Sequence, residues 1–103
     1  MRYQLVLHFL GDSVADLEVL VSLEERIGQA LGHSAEVDGH DIGSGESNVF
    51  VLTDDPWGSV GRIRSILDKF AEANSVRVAF REVAGGDYTV LWPRGFKGHF
   101  SVA

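Results

Sequence analysis

Acid–base and metal chemistry needs carboxylates and imidazoles held close together, and one stretch of this chain concentrates them. Asp38, His40, Asp41 and Glu46 lie between Glu36 and Asn48, interleaved with Gly39, Gly43 and Gly45. On a strand, side chains alternate with a period of two, so Glu36, Asp38 and His40 are expected on one side. Asp38 and His40 are then spaced to share a hydrated metal ion, with Glu36 or His8 nearby. Asp41 and Glu46 flank the Gly43-Ser44-Gly45 turn. Two facing carboxylates titrate apart and can serve as acid and base. Each pattern also has a plainer origin. Carboxylates on an edge strand discourage stray pairing, and Asp41 is suited to bond the turn amides. With no third fixed ligand the spacing specifies no metal, and no catalytic residue or cofactor is assigned. Gly11-Asp12-Ser13-Val14-Ala15 has the outline of a nucleophile elbow with Ala in last place. A hydrolase of that type needs a larger sheet and a late histidine, so the segment reads as a helix cap.

These residues must be placed by the elements around them. Tyr3, Leu5, Leu7 and Phe9 alternate with Gln4, Val6, His8 and Leu10, which predicts a first strand with the former set on the core. Leu17, Leu20, Leu23, Ile27, Ala30 and Leu31 recur at helical spacing, and Gly32 is a suitable stop, giving a helix over about 14–31. A second strand is predicted over 34–41. Ile42 breaks its parity, so a bulge or bend is expected at Gly39 or nearby. The third strand, 47–53, is more apolar and reads as central. Thr53-Asp54-Asp55-Pro56 starts a second helix over about 56–73, with Pro56 in the first helical position. Its core face is Val60, Ile63, Leu67 and Phe70, and Trp57 is expected to pack near its start. Strands over 75–83 and 87–92 follow, joined at Gly85-Gly86.

The order β-α-β-β-α-β with one more strand predicts an α+β, ferredoxin-like sandwich: an antiparallel sheet with both helices on one face. Right-handed crossovers place the strands in the order 4-1-3-2, with the fifth outside the fourth. Residues 1–93 form the domain and 94–103 a C-terminal tail in which Phe96 and Phe100 are able to dock. The 103 residues suit one domain, and 45% hydrophobic content is too high for disorder. The first residues read as a strand rather than a signal peptide. Apolar runs of strand length argue against a membrane span. The absence of cysteine excludes disulfide and thiolate chemistry and fits a cytoplasmic protein.

The net charge of −6 is unevenly spread: residues 12–55 hold eleven acids against Arg26 alone, and 56–103 hold seven bases and four acids. That balance argues against nucleic acid as a partner, which would call for a basic stripe.

Asp38-Gly39-His40-Asp41-Ile42-Gly43-Ser44-Gly45-Glu46-Ser47-Asn48, together with Thr53-Asp54-Asp55-Pro56, resembles a group of small bacterial ferredoxin-like proteins of unassigned function. The resemblance covers most of the chain and implies a fold rather than a chemistry. A looser likeness to ACT-type amino-acid-binding domains rests on the element order and on Gly11-Asp12, and is fold-level analogy.

The sheet face away from the helices is expected to carry Gln4, Val6, His8, Asn48, Phe50, Leu52, Arg77, Ala79 and Arg81, with Leu91 beside them. It is too apolar in the middle to be left bare. The chain is therefore read as a binding domain rather than an enzyme, homodimeric or bound to a protein partner through Val6, Phe50, Leu52 and Ala79. Cover by the tail is the competing arrangement. A ligand sensor or small enzyme using His8, Asp38, His40, Asp41, Glu46, Arg77 and Arg81 is one alternative. A regulatory or immunity-type protein, whose acidic half meets a basic target, is another.

Overall fold

Alternating apolar residues and two amphipathic segments assemble, in the computed structural model, into an α+β unit; the structure describes residues 1–11, 17–43, 45–71, 75–93 and 100. The elements are β1 (Tyr3–Leu10), α1 (Leu17–Leu31), β2 (Ala35–Gly43), β3 (Glu46–Thr53), α2 (Pro56–Ala71), β4 (Val76–Glu82) and β5 (Thr89–Trp92). Among the described residues the sheet has five strands in the order β2-β3-β1-β4-β5, with every pairing antiparallel. Such a two-helix, open-sheet arrangement is compatible with a ferredoxin-like fold. No helix among the described residues is long and apolar enough to cross a membrane.

The core lies between one sheet face and both helices. Leu5, Leu7 and Phe9 of β1 meet Val49 and Val51 of β3, Val76 and Val78 of β4, and Leu20, Leu23, Ile27, Leu31, Ile63 and Leu67 of the helices. Each such side chain, once buried, contributes about 1.5–3 kcal/mol. Ile66 also belongs to this core, whereas Leu17, expected on the core face of α1, is exposed. Leu91, expected near the open face, is instead buried with the helix-side core. Trp57 is 65% exposed and touches Phe80 edge to face, so it packs far less than its place at the start of α2 implied. The side chain of Phe70, residues 12–16 with their cap or elbow, and all of the tail except Phe100 lie outside the described residues.

Local chemistry sets the ends of the elements. Asp55 caps α2: its Oδ1 accepts the Gly58 amide at 3.0 Å. Thr53 is fully buried, and its Oγ1 accepts the Asp55 amide and pairs with the Ser59 hydroxyl at 2.8 Å. Gly39 has φ +147°, a region L side chains avoid, and the β2–β3 register shifts between Val37 and Gly39. The expected bulge is therefore present, with Asp38 as the extra residue. At the far end of the sheet the Gly11 amide donates to the Gly45 carbonyl at 2.8 Å, tying the end of β1 to the β2–β3 turn. That tie and the β1–β3 register carry Glu46 to the same end of the sheet as His8.

Candidate functional site

Strand register brings together residues that are far apart in sequence. His8 on β1 stands directly opposite Asn48 on β3 and Arg77 on β4, and Asn48 stands opposite Asp41 on β2. The result is a polar row, Asp41–Asn48–His8–Arg77, crossing the sheet on the face away from the helices. Next to it runs an apolar row, Phe50–Val6–Ala79–Val90.

His8 and Asn48 are almost wholly enclosed, at 6% and 1% exposed. The His8 Nδ1 lies 2.7 Å from Asn48 Oδ1. The His8 Nε2 lies 3.2 Å from Glu46 Oε2, a carboxylate that is itself 18% exposed. An amide oxygen and an ionised carboxylate both accept hydrogen bonds. The two ring nitrogens of His8 therefore lie between two acceptor-bearing side chains. Phe100 meets the His8 ring edge to face at 5.8 Å, and Tyr88 meets Phe100 at 5.0 Å. The Arg81 guanidinium sits 4.8 Å above the Tyr88 ring. On the other side of His8, Arg77 donates to the Val76 carbonyl at 3.2 Å. Among the described residues, the Asn48 Nδ2 is buried without a hydrogen-bond partner.

The seven candidate site residues thus separate. His8 and Glu46 meet in the enclosed cluster, Arg77 stands half-buried opposite His8 in the register, and Arg81 reaches the cluster through Tyr88 and Phe100. Asp41 occupies the edge position of the row and is exposed. Asp38 and His40 do not form the expected pair. The bulge inserts Asp38 and shifts the parity of the strand, so His40 lands opposite Val49 on the helix side. There its Nδ1 makes an ion pair with Glu24 of α1. Asp41 and Glu46 do not form the expected acid–base pair either, because Glu46 is drawn to His8. Among the described residues no group of three His, Asp or Glu side chains is placed to hold a metal ion.

The interface candidates separate as well. Val6 and Ala79 are fully buried within the single chain, while Phe50 and Leu52 are half-buried. Tyr88 was not expected here, whereas Asn48 was expected on this face and Phe100 as a docking residue of the tail, neither of them as a ligand-binding residue. Asn48 carried a legible signal: a carboxamide two residues before Phe50, on the same side of an otherwise apolar strand.

A concavity lies on the helix side, between α2 and β5. It holds about 180 Å³ and is lined by Trp57, Val60, Gly61, Arg64, Leu91 and Trp92. The Arg64 guanidinium lies 5.9 Å from the Trp92 ring.

No protein-family model matches this sequence and no curated protein matches it, so the reading of the site rests on its geometry.

Proposed function

We propose that the chain is a ferredoxin-like binding domain with an added C-terminal strand, and that it acts through the open face of its sheet by holding a small polar ligand at His8, Asn48, Glu46 and Arg77. One observation carries this reading. An imidazole, a carboxamide and a carboxylate are buried together on a sheet face whose adjoining row is apolar. Burying such groups is unfavourable unless each is paired, and a partly paired cluster is worse than an apolar one. A few polar groups converging beside an apolar row are the lining that ligand recognition uses. The resemblance to small ferredoxin-like proteins supports the fold part of this reading and leaves the ligand open.

The test is chemical-shift mapping of the labelled protein against a panel of amino acids, carboxylates, nucleosides and small amides. Saturable shifts confined to His8, Asn48, Glu46 and Arg77 are expected. A panel that moves none of them overturns the reading.

Self-association through the same face is a second reading, favoured by Phe50 and Leu52, which keep apolar surface accessible beside Val6 and Ala79. Sedimentation equilibrium of the wild type and of Leu52→Lys tests it. A dimer that the substitution dissociates supports it, and a monomer at high concentration overturns it.

A further inference from the structure

The unpaired nitrogen of Asn48 narrows the chemistry of the ligand. The residue is 1% exposed, its oxygen faces His8 Nδ1, and its Nδ2 faces no acceptor among the described residues. Turning the amide over does not remove the problem. The nitrogen would then donate to a neutral His8, and the oxygen would lie buried without a donor. The orientation seen leaves a donor unmet, so what completes the site must bring an acceptor.

Charge decides which kind of acceptor fits. Glu46 lies on the same side of the cluster, its Oε2 3.2 Å from the His8 Nε2. An anion placed against Asn48 meets the Glu46 carboxylate beside it, and Asp41 stands opposite in the register. A cation offers no acceptor, and Arg77 stands opposite His8 in the register. A neutral carbonyl satisfies Asn48 without either repulsion. A carbonyl that carries its own N–H does more, because the carboxylates of Asp41 and Glu46 on the same sheet face are acceptors.

Resting on the open-face binding reading, we infer that the Asn48–His8–Glu46 cluster binds an uncharged amide group, as in a peptide bond or a primary carboxamide. The carbonyl accepts from Asn48 Nδ2 and the amide N–H faces the carboxylate side of the row.

Three small probes of similar size separate the possibilities: acetamide, acetate and methylammonium, each titrated into the labelled full chain. The readouts are the Asn48 side-chain NH₂ resonances and the His8 ring nitrogens. Acetamide alone is expected to shift both, saturably. Acetate or methylammonium shifting them in its place overturns the amide assignment while leaving the open-face reading intact. No response to any probe, with a bound water alone on the Asn48 nitrogen, overturns the assignment; no response to the wider panel above overturns the open-face reading too.

Asn48→Asp keeps an oxygen against His8 and exchanges the donor for an acceptor, and is expected to weaken acetamide binding about tenfold. An unchanged affinity in that variant overturns the inference. Should the variant not fold, the selectivity of the wild type among the three probes decides alone.

Discussion

The His8–Glu46 pair offers the sharpest test of the geometry, through a double-mutant cycle of His8→Ala, Glu46→Ala and the double variant. With nitrogen and oxygen 3.2 Å apart, unit charges attract by about 5 kcal/mol at an effective dielectric of roughly 20. The side chains are only 7% and 18% exposed, so desolvation offsets much of that gain. A coupling of about 1.5–3 kcal/mol is expected, above that of exposed pairs and within the range of desolvated ones. Glu46→Ala alone is expected to destabilise by about 1–3 kcal/mol, because it leaves the enclosed His8 Nε2 without its partner. The assay is equilibrium urea unfolding of all four proteins, with equal m-values confirming a shared mechanism. A coupling below about 0.5 kcal/mol refutes the reasoning, since an enclosed pair at this distance cannot be that weak. A coupling near 1 kcal/mol points to a neutral imidazole and a turned Asn48 amide, which is the value of a hydrogen bond without the ion pair.

Other outcomes follow from particular contacts. Asp55→Ala removes the cap on the Gly58 amide and is expected to lower stability by about 1 kcal/mol in the same unfolding assay. Gly39→Ala forces a side chain into φ +147° at the bulge and is expected to destabilise by about 1–3 kcal/mol, measured the same way; an unaffected midpoint would show that the bulge can relax. Leu7→Ala opens a cavity beneath both helices and is expected to lower stability by about 2–5 kcal/mol, read by thermal unfolding. The Arg2 guanidinium is raised above its ordinary range by its hydrogen bond to Glu82 and, behind that, by Tyr3 and the Glu82 charge. A raised folded pKa gives stability that is complete below the unfolded value and fades only as pH climbs through the folded one. Arg2→Gln should therefore show the same small loss in neutral and mildly alkaline buffer, and salt should shrink it because the pair is exposed.

How much was legible in the sequence differs from residue to residue. The period-two run through Tyr3, Leu5, Leu7 and Phe9 announced β1 and its buried side, because alternation on a strand is a local property. The Asp55–Pro56 start of α2 was legible for the same reason, since a cap acts within one turn. The bulge at Gly39 was legible from the parity break at Ile42. Its consequence was not. One inserted residue carried His40 across the sheet to Glu24, and no counting along β2 alone reveals what α1 places there. Leu17 and Trp57 failed for a related reason: apolar type and helical spacing name a face, but only the neighbouring elements decide whether anything covers it.

The sequence by itself therefore determined the elements, the buried side of β1, the capped start of α2 and the need for a bulge in β2, all of which depend on residues within a turn or two of one another. The tertiary structure alone decided the site. His8, Asn48, Glu46 and Arg77 come from three strands, and they meet because antiparallel register sets His8 opposite Asn48 and Arg77. The motif that seemed to hold the chemistry contributes Glu46 and Asn48 to it and sends His40 to the opposite face. Alternation assigns a residue to a side of its own strand, and which residues meet on that side is set by pairing between strands.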